Sequence, residues 1–137
     1  MHEVKGGCLC GSIRYESADH PALIAACHCT HCQKQSGGAF SVNLVMPLAG
    51  VKLTGSTLAT FNDVGGSGMP VKRHFCSSCG SPIFSELDAM PGVAAVKAGT
   101  LDDPAWASPQ VNLWCQSALP WVPMAEGSAQ FDQNPPA

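Results

Sequence analysis

Cys27-His28-Cys29-Thr30-His31-Cys32 sets three thiols and two imidazoles within six residues. Cys8-Leu9-Cys10 precedes it and Cys76-Ser77-Ser78-Cys79 follows it. Cysteines at C-x-C and C-x-x-C spacing are the usual ligands of zinc. Of the eight cysteines only Cys115 lies outside these three motifs. Two zinc sites are expected, one closed by its ligands and one with a position left open. Disulfides are the rival reading. The amino terminus, Met1 to Lys5, lacks the apolar stretch of a secretory signal, so a cytoplasmic chain with reduced thiols is expected.

The frame that must position these thiols is small. The chain has 137 residues and a mass of 14.2 kDa, and one domain is expected over 1–132 with a frayed tail at 133–137. Hydrophobic residues make up 45% and support a core, while 14 glycines and 11 prolines favour short strands and turns over long helices. A net charge of −3 and a pI near 5.9 give no basic surface for nucleic acid or anionic membrane. No apolar run reaches the ~18 residues of a membrane span.

Period-two alternation locates the strands. Val4 to Tyr15 reads as a β-hairpin, with Ile13 and Tyr15 inward and glycines bracketing Cys8 and Cys10. Leu23 to Ala26 is a short strand leading into the cysteine triplet. Thr30 to Gln35 forms a helical turn with Thr30 as its cap, ended by Ser36-Gly37-Gly38. Phe40, Val42, Leu44 and Met46 share one face of the next strand; Ser41, Asn43 and Val45 share the other. Further strands are expected at 51–54, 58–61, 71–75, 82–87, 93–98 and 111–115. Residues 62–70 read as a flexible loop. Trp121, Phe40 and Phe75 are expected to pack in or on the core, and His74 to be exposed. The class is all-β, with short antiparallel strands.

The motifs Gly7-Cys8-Leu9-Cys10-Gly11, Cys27-His28-Cys29, Cys32-Gln33-Lys34, Ser36-Gly37, Phe75-Cys76, Cys79-Gly80, Gly99-Thr100-Leu101-Asp102 and Trp121 occur in order along nearly the whole chain. In this the chain resembles the glutathione-dependent formaldehyde-activating enzymes, a family that includes centromere protein V. The resemblance implies a small zinc-stabilised complex β fold of β-tent type. It implies a structural zinc on Cys8, Cys10, Cys76 and Cys79, and a catalytic zinc on Cys27, Cys29 and Cys32. It further implies a carbon–sulfur lyase, joining glutathione to formaldehyde as S-hydroxymethylglutathione and splitting it in reverse. One departure stands out: Asn112 falls where the family often has histidine.

A four-thiolate zinc is saturated, whereas three thiolates leave room for water or substrate. Three thiolates also weaken the ion as a Lewis acid and suit a sulfur ligand, so capture of a substrate thiol beside an aldehyde is the expected chemistry. The alternative is a non-catalytic module with two structural sites, His28 or His31 closing the second; metal storage or redox sensing is a third reading. His28 sits between two ligands and is expected to point away from the metal. His31 is a surface or supporting residue. Zinc bound by thiolates adds negative charge, so neighbouring cations are expected among Lys34, Lys72 and Arg73. Lys34, Ser36 and Gly37 are the expected contacts for the thiol substrate. Cys115 reads as a buried apolar thiol.

Overall fold

A computed structural model describes residues 3–134. The strands are β1 (Val4–Gly7), β2 (Arg14–Ser17), β3 (Leu23–Cys27), β4 (Ser41–Pro47), β5 (Lys52–Thr54) and β6 (Leu58–Val64). They continue as β7 (Pro70–Cys76), β8 (Pro82–Leu87), β9 (Val93–Lys97), β10 (Val111–Leu113) and β11 (Ala129–Gln130). The one α-helix among the described residues is α1 (Thr30–Ser36). The fold is all-β. A small sheet has the order β1-β2-β5 and a large one the order β11-β10-β3-β4-β9-β8-β7-β6. Pairing is antiparallel except at β10, which runs parallel to both β3 and β11.

Alternation works as expected into β2, where Ile13, just before the strand, and Tyr15 within it are buried. They join Val4, Ile24, Leu44, Met46, Phe84 and Val96 in the core between the sheets. β4 alternates too, but Ser41 and Asn43 on its other side are also buried. Residues directly opposite on paired strands share a face. The registers Cys27↔Ser41, Asn43↔Lys97, Ser85↔Ala95 and Arg73↔Ser85 therefore put the polar residues together on the face away from the core.

That face is concave. β6 and β10 are six strand spacings apart in the large sheet, about 29 Å if it were flat. Yet Asp63 on β6 meets His31 on α1 at 2.7 Å. A Cβ at Gly66, in the β6–β7 turn, would lie 2.7 Å from the Trp114 ring just beyond β10. The sheet curls until its distant strands nearly touch.

Several local expectations need correction. The helix cap is Cys29, whose Sγ accepts the Cys32 N–H at 3.2 Å, and not Thr30. Gly37, in the left-handed region at φ 70°, ends the helix where the Ser36-Gly37-Gly38 break was expected. The predicted loop 62–70 shrinks to a turn, because Asn62, Asp63 and Val64 pair with Lys72, Val71 and Pro70. β10 stops at Leu113 because Trp114 turns left-handed, at φ 57°. His74 is 8% exposed, held by Thr60 and Glu86 and stacked on Phe84. The register shift between His74 and Phe75 defeats a simple in–out reading there. Trp121 is 70% exposed and does not pack on the core. Phe40 is exposed at the core's margin against His28, and Phe75 is half-buried. Of the predicted tail, Gln133 and Asn134 bond Trp114, and 135–137 lie outside the described residues.

Candidate functional site

Two turns of the same make build the first sulfur cluster. Cys8-Leu9-Cys10-Gly11-Ser12 joins β1 to β2, and Cys76-Ser77-Ser78-Cys79-Gly80-Ser81 joins β7 to β8. Gly11 and Gly80 each take φ 82°, a conformation open to glycine at little cost. Each closes its turn by donating to the first cysteine's carbonyl, at 3.1 Å and 2.7 Å. The four Sγ atoms of Cys8, Cys10, Cys76 and Cys79 all lie within 4.8 Å of one another. Tetrahedral zinc with bonds of ~2.3 Å needs sulfurs about 3.8 Å apart. The Cys8–Cys10 and Cys10–Cys76 separations are 3.6 Å and 3.8 Å. The set fits a tetrahedral metal ion.

Hydroxyls line this cluster. Ser12 Oγ lies 3.0 Å from Cys10 Sγ and 3.4 Å from Cys76 Sγ, and Thr57 Oγ1 lies 3.3 Å from Cys76 Sγ. Together Ser12 and Thr57 lower the Cys76 thiol to about 5. Ser81, 3.3 Å from Cys79, lowers that thiol to about 7. Hydroxyl donors favour thiolate, the form a metal requires. The repeated Cys-Gly-Ser was the sequence signal for Ser12 and Ser81; Thr57 had none.

The second cluster forms where β3 runs into α1. Cys27 closes β3, Cys29 caps the helix and Cys32 sits in its first turn, and the three sulfurs lie within 4.8 Å of one another. The set offers three thiolates, a fit to a metal ion that keeps one position for another ligand. Cys32 is buried; Cys27 and Cys29 are half-buried. Hydrogen bonds from Cys27 and Cys29 hold the Cys32 thiol far below the ordinary thiol range, helped by the charge of Lys97 and the Ser41 hydroxyl. Hydrogen bonding with Cys29 and Cys32, together with burial, drives the Cys27 thiol upward.

The supports come from remote strands. The Gln33 side-chain amide donates to the carbonyls of His28 and Ser117, at 2.9 Å and 3.0 Å, tying the triplet to the turn after β10. Arg73 is buried, its Nε on Asp63 at 2.8 Å, and its guanidinium reaches Cys32. Burial alone would raise the Asp63 carboxyl, but His31 and Arg73 hold it below its usual range. Lys97, at the end of β9, is buried; burial holds its ammonium below the usual lysine range, while the charges of Cys32, Cys27 and Cys29 act the other way. Sequence reading missed Lys97; its signal was a single charge closing the apolar run Val93 to Val96.

Of the other predicted residues, His28 does point away from the sulfurs but is not solvated. It is 1% exposed, with Nε2 on Asn112 Oδ1 at 3.0 Å and Nδ1 without a partner among the described residues. Asn112, the departure noted above, also donates to Ser128 at 2.9 Å. Among the expected cations Arg73 meets the triplet, whereas Lys72 is exposed across the sheet in register with Glu86. Lys34, Ser36 and Gly37 are exposed at the carboxy-terminal end of α1. Cys115 is half-buried, its thiol facing the Asn112 carbonyl at 3.5 Å. No helix among the described residues is long and apolar enough to cross a membrane.

Known proteins share this pattern. A crystal structure of a Rhodobacter sphaeroides protein overlays with a TM-score of 0.57 at 22% identity, covering 72% of this chain and 87% of that one, and supports the fold. A Halomonas elongata protein is 28% identical over 127 residues, 87% of this chain and 79% of its own. Proteins of Fusarium vanettenii and Penicillium rubens are 26% and 30% identical. They match 82% and 75% of this chain, which spans only 62% and 56% of their own lengths. All three are provisionally named as glutathione-dependent formaldehyde-activating enzymes. The family model of that description matches residues 3–117, a span holding all three cysteine motifs, and the chain belongs to the glutathione-dependent formaldehyde-activating enzyme family.

Proposed function

We propose that this chain is a zinc-dependent carbon–sulfur lyase that joins a small thiol to an aldehyde and splits the adduct in reverse, with glutathione and formaldehyde as its first pair. The observation that carries the reading is the difference of one sulfur between the two clusters. Cys8, Cys10, Cys76 and Cys79 form a complete shell and take the structural role. Cys27, Cys29 and Cys32 form an incomplete one and take the catalytic role. A zinc ion bound there would supply a soft, weakly Lewis-acidic position suited to a substrate sulfur.

The chain's own residues do the rest. The triplet is only partly open to solvent: Cys32 is buried, while Cys27 and Cys29 are half-buried and leave it a way in for substrate. Cys27, Cys29, Lys97 and Ser41 favour Cys32 as thiolate, and Arg73 reaches it from Asp63, which His31 also holds. Keeping thiol and aldehyde at one site makes a bimolecular encounter nearly unimolecular. Lys34, Ser36 and Gly37 stand on the exposed shoulder of α1, where the polar remainder of a glutathione-like thiol would rest. The reduced state of seven such thiols fits the cytoplasm. The test adds glutathione and formaldehyde to zinc-loaded protein and follows adduct formation above the spontaneous background. Acceleration that disappears in Cys27→Ala is the expected result; a rate equal to background rejects this substrate pair.

A further inference from the structure

Lys97 ends β9 with a residue exposure of 7%, behind a run of Val93, Ala94, Ala95 and Val96. A charge so placed is costly unless polar partners hold it. An ammonium has three N–H donors. One goes to Asn43 Oδ1 at 2.8 Å, and Asn43 is fixed in turn by donating to Ser41 Oγ at 3.0 Å. Ser41 faces Cys27 in the strand register, so this polar ladder leads straight to the triplet. Cys32, Cys27 and Cys29 are near enough for their charges to act on Lys97. Among the described residues, however, Asn43 is the sole hydrogen-bond partner of Nζ. Arg73, the other buried cation near the triplet, is anchored to Asp63 and reaches Cys32. Lys97 thus brings a buried amine with two further donors toward the sulfurs.

We propose that Lys97 is the oxygen-binding group of the three-cysteine site, its unused donors receiving the aldehyde-derived oxygen of the substrate or another small anion in its place. This rests on the thiol–aldehyde reading given above. In the addition, the thiol sulfur forms a C–S bond to the carbonyl carbon and the C=O π pair moves onto oxygen. The proton released by the thiol completes the hydroxyl. Lys97 is an ammonium before and after, and nothing is oxidised or reduced. A preorganised donor at a developing oxyanion is worth roughly 10²–10³ in rate.

The test uses zinc-loaded protein with azide as probe anion, its affinity read by calorimetry, beside the rate of adduct formation. Lys97→Met and Lys97→Gln are expected to keep both metal ions. They should bind azide roughly tenfold more weakly or worse, as expected for losing a charge-assisted hydrogen bond. They should also lower kcat by roughly 100-fold with the KM for glutathione nearly unchanged. Lys97→Arg should restore part of the azide binding. Loss of azide binding in an otherwise inert protein would reject the glutathione–formaldehyde pair and uphold Lys97 as the anion-binding group. Equal azide affinity in wild type and neutral variants overturns the proposal, as does an absence of azide binding in the wild type. A fall in metal content with unchanged azide affinity also overturns it, since that marks mere charge compensation. Should the neutral variants not fold, Asn43→Ala, which frees Lys97 from its holder, decides in their place: weakened azide binding upholds the proposal and unchanged binding overturns it.

Discussion

Cys29 does two things at once: it belongs to the sulfur triplet and caps the helix that carries Cys32. Its neighbour Cys27 has no such second duty. Cys27→Ala is therefore expected to lose one metal equivalent and the activity while keeping a native circular dichroism spectrum. His28 and Asn112 form a buried pair on the other side of the strand. Asn112→Ala leaves His28 without a partner on either ring nitrogen, at a cost of about 1–3 kcal/mol, seen as a lower thermal midpoint. Tyr15 gives a pH signature. Burial pushes its phenol up to about 12, despite a hydrogen bond with Thr100 that acts the other way. Its neutral form therefore contributes stability in full below about pH 10, where the unfolded phenol titrates. That contribution is lost as pH rises through about 12. The stability advantage of wild type over Tyr15→Phe should shrink across this window and stay flat below it. At this scale the cysteines were legible because their spacing is covalent. Lys97 and Thr57 were not, because their places depend on registers between strands far apart in sequence.

At the scale of elements, the motif Gly99-Thr100-Leu101-Asp102 acts as a strap over the first hairpin. Tyr15 bonds Thr100 at 2.7 Å, Arg14 donates to Asp102 at 2.8 Å, and Leu101 bridges Gly6. Gly6 admits the strap: a Cβ there would lie 2.2 Å from the Thr100 carbonyl oxygen and 2.5 Å from the Tyr15 hydroxyl. Gly6→Ala should lower stability by roughly 1–3 kcal/mol, measured by denaturant titration, because backbone must move to make room. Asp63 reaches across the open side of the bowl to His31 and bonds Arg73 on the neighbouring strand. Strand positions were readable wherever inward residues are apolar. Asn62 to Val64 carry no inward apolar residue to mark a strand: Asn62 and Val64 are exposed, and the half-buried member, Asp63, faces the polar site. Trp114 ended its strand through a left-handed backbone that no pattern of types announces.

For the whole molecule, the four-sulfur cluster joins the first hairpin to a turn more than sixty residues later. Structural zinc in peptide sites is worth about 10–16 kcal/mol apparent, as much as the whole net stability of an ordinary domain, about 5–15 kcal/mol. Cys76→Ser is expected to be insoluble or unfolded, in contrast to Cys27→Ala, and a soluble, native-like Cys76→Ser would refute the structural role. All-β class and two sulfur clusters were readable because they depend on composition and spacing. The bowl was not, because it arises from sheet order and from contacts between the sheet's remote strands. The most direct test of the account is metal content of reduced protein combined with X-ray absorption at the zinc edge. Two equivalents are predicted, one with four sulfur ligands and the other with three sulfurs and a lighter atom. A single equivalent, or two ions each fully enclosed by protein ligands, would contradict it.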